Sequence, residues 1–266
     1  MPAVGNGDPR PDIEDRSVLT REAPAPDRLI AYGPLPDQVV DCYFSADLDF
    51  AATRPLLLLI HGGYWRPPYD RVHLRTFASA LAGAGWQVAS IEYRRIPGEP
   101  DAMVADIRAA ITTIPAQFAG HSDQVIIIGH SAGGHLALWA AAQVDLGDQI
   151  AGVIALGAVS DLELAQQLDL DDGGVRDFLG CAAQERLDLD PMHLPPVVPV
   201  INLHGKLDSL VPIALARNYL TAHVGDDVTL IEIDDVAHFE LIDPTSVAWP
   251  AVLAAVHDTR TTPPPS

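Results

Sequence analysis

Residues 125–143, Val-Ile-Ile-Ile-Gly-His-Ser-Ala-Gly-Gly-His-Leu-Ala-Leu-Trp-Ala-Ala-Ala-Gln, constrain the fold more than any other stretch. Val125–Ile128 is a run of β-branched residues, which suits a strand covered on both faces. From Leu136 onward, Ala and Leu favour a helix. Between them Gly129-His130-Ser131-Ala132-Gly133 fits the pattern G-x-S-x-G, a strand-to-helix turn so sharp that its serine is held in strained backbone geometry at the strand end. A chain built around such a turn is expected to be α/β, with further parallel strands beside the first.

The turn also carries a chemical expectation. A serine hydroxyl is a poor nucleophile at neutral pH, so it must stand where a base can take its proton. Ser131 is the candidate nucleophile. The helix that follows aims free amides and its positive dipole end at the reacting centre, which makes the Ala132 N–H a candidate donor to a developing oxyanion.

The rest of the chain supplies partners in order. Residues 1–27 are rich in Pro, Asp, Glu and Arg without periodicity and read as a flexible N-terminal arm with at most one short helix near Ile13–Arg21. Arg28–Tyr32 and Val39–Phe44 read as an antiparallel pair across Gly33-Pro34-Leu35-Pro36-Asp37. Pro55–Ile60 is the first fully apolar strand, and it runs into His61-Gly62-Gly63-Tyr64-Trp65. Two glycines there let the backbone approach closely and present N–H groups to a negative oxygen, so Gly62, Gly63 and Tyr64 are the further oxyanion candidates. The sequence leaves open whether the donors are Gly62 and Gly63 or Gly63 and Tyr64. Tyr64 and Trp65 are candidates to line a substrate pocket, with aromatic core packing as the competing reading.

Tyr69–Ala84 has helical spacing, Gln87–Tyr93 is a strand, and Asp101–Ile114 a helix ending at Pro115, an alternation that points to a parallel sheet. After the Ala151–Leu156 strand comes a polar stretch, 160–196, expected to form a small helical lid. Val198–Leu203 leads to Asp208, and Val228–Ile233 to His238, ahead of a helix at Thr245–His257. Asp208 at a strand end can orient a histidine, and His238 is the candidate base. Thr259 to Ser266, with three consecutive prolines, reads as a disordered tail.

Composition narrows the function classes. With 266 residues, 48% of them hydrophobic, one large domain is the simplest organisation. A net charge of −20, with Lys206 the only lysine, argues against a nucleic-acid or anionic-membrane partner, because phosphate recognition needs clustered cations. Cys42 and Cys181 have neither disulfide-framework nor metal-ligand spacing and read as free thiols. No H-E-x-x-H occurs, and His130 with His135 lacks a matching carboxylate, so no metal is expected. Neither G-x-x-x-x-G-K-[ST] nor G-x-G-x-x-G is present, so no nucleotide cofactor is expected. The opening residues lack a basic and then apolar leader, and no stretch approaches about 18 charge-free apolar residues, which reads as a cytoplasmic chain.

The order Ser131, Asp208, His238, each at a strand end, resembles the nucleophile–acid–base order of the α/β-hydrolase superfamily over about residues 28–258. His61-Gly62-Gly63-Tyr64-Trp65 together with Gly129-His130-Ser131-Ala132-Gly133-Gly134-His135-Leu136-Ala137 looks like the esterase and kynurenine formamidase branch. The resemblance implies a mostly parallel central sheet of about eight strands, helices on both faces and a small lid. It also implies acyl transfer through an acyl-enzyme on Ser131, with a small ester or formamide as substrate. Asp208 lies in the H-G-x-x-D-x-x-V-P pattern that the superfamily uses for its acid. Asp161 is the alternative acid, one strand earlier. The competing class is a non-catalytic hydrolase scaffold that binds a ligand or partner.

Overall fold

The computed structural model describes residues 14–259. The first 13 residues of the expected arm and residues 260–266 of the expected tail lie outside the described residues, whereas Thr259, expected to open that tail, ends the last helix and is buried.

Among the described residues, eight strands form one sheet. In chain order they are β1 (Arg28–Ala31), β2 (Val39–Tyr43), β3 (Leu56–Ile60), β4 (Val88–Ile91), β5 (Val125–His130), β6 (Ile150–Leu156), β7 (Val200–Gly205) and β8 (Val228–Ile233). Their spatial order is β1-β2-β4-β3-β5-β6-β7-β8. The pairs β1/β2 and β2/β4 are antiparallel, and all others are parallel. The helices are α1 (Leu48–Ala51), α2 (Arg75–Gly83), α3 (Pro100–Thr113), α4 (Ala132–Ala141), α5 (Leu162–Gln167), α6 (Gly174–Leu179), α7 (Ala214–Ala222) and α8 (Trp249–Thr259).

The central strands are apolar along their whole length because both faces are covered. Along β3, Leu56, Leu58 and Ile60 enter one core with Met103, Ile107 and Ile111 of α3 and Leu136 of α4. Leu57 and Leu59 enter the other, with Phe77 and Leu81 of α2 and Val252 and Val256 of α8. A one-residue slip of β3 would exchange the two sets, so packing on both sides fixes its register.

Some boundaries differ from the sequence expectation. The stretch expected as one helix over Tyr69–Ala84 is a 3₁₀ turn at Arg71–Leu74 followed by α2, and Asp70 caps that turn by accepting from Val72 N at 2.9 Å. The last helix starts at Trp249 rather than Thr245, with Pro250 in its first turn, where a missing N–H leaves nothing unpaired. Across 160–196 lie α5, α6 and short 3₁₀ turns at Ala183–Glu185 and Pro191–His193.

The described part of the N-terminal segment, expected as a flexible arm, is docked. Its physical anchors are Val18, buried in the core that holds α2 and α8, and Arg21, whose guanidinium spans both oxygens of Asp243 at 2.5 and 2.7 Å. Among the described residues no helix is long and apolar enough to cross a membrane.

Candidate active site

Parallel strands deliver their C-terminal ends to one edge of the sheet, and the loops there carry the candidate site. β5 ends at His130 and α4 begins at Ala132, leaving Ser131 alone in the turn with φ 57° and ψ −121°. Such geometry in a non-glycine residue costs on the order of 1–3 kcal/mol and persists only where the surroundings impose it. Both flanking glycines are required by contact. A Cβ on Gly129 would lie 2.1 Å from Gly133 O, and one on Gly133 would lie 2.1 Å from Ile60 O.

His238 follows β8 and is 2% exposed. Its Nδ1 lies 2.7 Å from Asp208 Oδ2. An ionised carboxylate can only accept, so Nδ1 carries the hydrogen and the neutral ring leaves Nε2 as its basic nitrogen. Asp208 is fixed in turn. Its Oδ1 accepts from Leu210 N at 3.0 Å and Val211 N at 2.8 Å, and His204 Nε2 stands 3.3 Å from Oδ2 while donating to Val211 O at 2.8 Å. The pattern around His204, Asp208 and Val211 is thus a small cage for one carboxylate. Burial alone would raise the Asp208 pKa, but the facing His238, the nearby His204 and the hydrogen bond from His238 outweigh it and hold the acid below the ordinary carboxylate range.

Asp161 does not reach His238. Its Oδ1 caps α5 by accepting from Leu164 N at 2.8 Å, and its Oδ2 accepts from Asn218 Nδ2 at 2.8 Å. Gly157, at the end of β6 with φ 52°, lets the acid–base pair sit against the sheet: a Cβ there would fall 3.1 Å from His238 Nδ1 and 3.2 Å from Asp208 Oδ2.

The loop after β3 closes over the serine. A Cβ on Gly62 would lie 2.9 Å from Ser131 Cβ, so only glycine lets the loop approach this closely. Gly63, Tyr64 and Trp65 then have φ of 107°, 46° and 56°. Tyr64 OH donates to Leu210 O at 2.8 Å, tying this loop to the acid's loop. Among the described residues no acceptor takes a hydrogen bond from the amides of Gly63, Tyr64 or Ala132. The Gly62 amide is equally free among the described residues, so Gly62, Gly63, Tyr64 and Ala132 all stay candidate donors.

Ser131, His238, Gly63 and Tyr64 line a cavity of about 380 Å³, walled by Leu19, Tyr69, Val72, Leu210 and Phe239, with Arg16, Asp70 and Asp171 among its polar groups. Trp65 is not part of it. The consecutive left-handed residues turn its side chain inward, where it is 2% exposed and stacks on Phe178 at 4.4 Å, so its expected pocket role is corrected to core packing beneath α6.

Sequence reasoning missed several contributors. His130 packs its ring 4.5 Å from that of His238, and its Nε2 donates to His238 O at 3.2 Å. Burial, and then the neighbouring His238, keep the His130 pKa well below that of a free imidazole. His73 also lines the cavity, and its pKa is pushed down to about 3, chiefly by burial. Arg16, Leu19 and Thr20 of the N-terminal segment form part of the cavity wall. Glu14 accepts from His238 N at 2.9 Å. His130 sits inside the serine motif and was open to notice, whereas the N-terminal residues carry no motif.

Away from this site, Glu163, Asp190 and His193 place ligand-type atoms within 4.8 Å of one another in the 160–196 region. Glu163 and His193 already face each other at 3.6 Å, and Asp190 Oδ1 accepts from Leu162 N and Met192 N.

Comparison with known proteins gives the family. Residues 40–191 match the family model described as BD-FAE. "Probable carboxylic ester hydrolase LipM" of Mycobacterium tuberculosis is 31% identical over 205 residues, covering 68% of this chain and 47% of LipM, so the chain spans about half the length of that relative. "Kynurenine formamidase" of Salmo salar is 26% identical over 235 residues, covering 80% of this chain and 75% of the relative. The crystal structure of Esterase B from Lactobacillus rhamnosis superposes with a TM-score of 0.73 at 20% identity, covering 90% of this chain and 88% of that one, a likeness of fold.

Proposed function

Because the chain belongs to the BD-FAE family, with the fold of the α/β-hydrolase esterases and formamidases, we propose that it is a serine hydrolase acting on small carboxylic esters through an acyl-enzyme on Ser131. The observation that carries the proposal is the Asp208–His238 pair at 2.7 Å, its histidine lining the same cavity as a strained serine at the head of α4.

The proposed steps use these groups in turn. His238 Nε2 takes the Ser131 proton as Oγ attacks the carbonyl carbon. The Nδ1–H bond to Asp208 stabilises the imidazolium that forms. Negative charge gathers on the carbonyl oxygen, where the Ala132 N–H at the helix start is one donor and either the Gly62 and Gly63 amides or the Gly63 and Tyr64 amides supply the others. His238 passes its proton to the leaving alcohol, which departs. Water then enters, gives a proton to His238 and attacks the acyl carbon, and Ser131 leaves with that proton.

A cavity of about 380 Å³ with mainly apolar walls suits a short or medium acyl chain better than a polymer. The likeness to kynurenine formamidase supports a second substrate class, formamides, because the same steps act on a formyl carbon. No metal or nucleotide cofactor enters these steps.

The test is steady-state hydrolysis of p-nitrophenyl acetate, butyrate and octanoate beside N-formylkynurenine, with Ser131→Ala as control. Ser131-dependent ester turnover is expected. Formamide turnover at higher kcat/KM would reassign the substrate class, and turnover unaffected by Ser131→Ala would refute the mechanism.

A further inference from the structure

We propose that Glu14 is a positioning residue for this active site: its carboxylate bridges the loop that carries the acid to the loop that carries the base, and so fixes Asp208 and His238 relative to Ser131. The inference rests on the hydrolase reading above. Glu14 is 5% exposed. Its Oε1 accepts from both Ser209 N and Ser209 Oγ at 2.9 Å, and its Oε2 accepts from His238 N at 2.9 Å. One carboxylate therefore joins the residue after the acid to the base itself.

The location explains why such a bridge is needed. The ladder between β7 and β8 ends at Gly205 and Ile233. Past it the two chains are tied by Lys206 N to Ile233 O and Leu207 N to Val236 O, both at 2.9 Å, and then they diverge into the loops that present Asp208 and His238. Glu14 spans that divergence. Burying a carboxylate is costly unless its oxygens are satisfied, and here the three donors that satisfy it all belong to the acid and base loops.

The segment that delivers Glu14 is itself fastened to the base side of the site. Arg21 pairs with both oxygens of Asp243, and the Arg16 guanidinium stands 5.5 Å from the centroid of the Phe239 ring, next to His238 in sequence. Arg16, Leu19 and Thr20 continue from Glu14 along the cavity wall. A segment with no sequence motif thus helps to aim the base and to shape the pocket.

A displacement of about 1 Å in a catalytic group can cost roughly 10²-fold in rate. In the full chain, Glu14→Ala is expected to lower kcat for p-nitrophenyl acetate by about 10- to 100-fold, with KM within about 2-fold of wild type. Glu14→Gln, nearly isosteric, keeps one accepting oxygen and should fall between the two. The discriminating readout is reaction with a fluorophosphonate, followed for both rate and final stoichiometry. Mis-aimed catalytic groups slow the labelling of Ser131 but still reach one label per chain.

Glu14→Ala labelled as fast as wild type overturns the proposal, as does a lowered stoichiometry with an unchanged rate, which is the mark of partial unfolding alone. If Glu14→Ala does not fold, Glu14→Gln decides by the same two numbers. A wild-type protein that neither labels nor turns over ester overturns the hydrolase reading and this one together, whereas normal wild-type labelling with indifferent Glu14 variants overturns this one only.

Discussion

Replacing Asp208 by Asn tests the acid–base assignment with the least change in shape. Asp208 Oδ1 accepts from two backbone amides, Leu210 N at 3.0 Å and Val211 N at 2.8 Å, and those donors cannot rotate away. The single carbonyl oxygen of an asparagine is therefore expected at the Oδ1 position, which puts its NH₂ where Oδ2 stands, 2.7 Å from His238 Nδ1. An NH₂ donates, so Nδ1 must accept, and the ring proton moves to Nε2. The nitrogen meant to take the Ser131 proton is then already protonated. A wrong tautomer of this kind costs on the order of 10⁴-fold in kcat, or roughly 5.5 kcal/mol at about 1.36 kcal/mol per decade. The assay is kcat for p-nitrophenyl butyrate at pH 8, with circular dichroism to show that the variant is folded. A folded Asp208→Asn variant within about 10-fold of wild type would refute the tautomer argument and with it the role given to Asp208.

Two further substitutions probe the parts around the site. Trp65→Ala should destabilise the protein by about 3–5 kcal/mol in denaturant unfolding, through the void left against Phe178, while KM for short esters stays within about 3-fold because Trp65 does not line the cavity; a large KM change with full stability would return it to the pocket. Asp106 bears on acid stability. Burial alone would raise its pKa, but hydrogen bonds from the Arg94 side chain and backbone and from Gln38 depress it below 3.8. A depressed carboxylate contributes stability that is present above its unfolded pKa and lost as pH falls through the folded value. Asp106→Asn should therefore lower Tm at pH 7, with the gap to wild type closing below about pH 3.8, and a gap independent of pH would refute the linkage.

The sheet was legible because its strands announce themselves: Leu56–Ile60 and Val125–Ile128 are apolar without interruption, as strands covered on both faces must be. Ser131, Asp208 and His238 could be picked out because each follows such a run within a recognisable pattern, and the fold brings Asp208 to His238 while placing Ser131 and His238 on one cavity. What escaped depended on tertiary contact. Trp65 follows Tyr64 directly, yet only Tyr64 faces the cavity, because the turn between them is set by two left-handed residues that neither side chain signals. Glu14 lies in a stretch of mixed Pro, Asp, Glu and Arg with no period, and its role exists only through donors far along the chain at Ser209 and His238. The helix expected from Thr245 begins at Trp249 instead: Pro244 and Pro250 mark two possible starts in the sequence, and Ala248 and Val252 are buried in one core beside the later one.

The most direct measurement is reaction of the purified chain with a fluorophosphonate, with mass spectrometry to locate the adduct. An activated Ser131 gives one adduct per chain, on the peptide containing residue 131, and none in Ser131→Ala. A folded wild-type protein that stays unmodified, or one that is modified at another residue, would contradict the assignment of Ser131 as nucleophile.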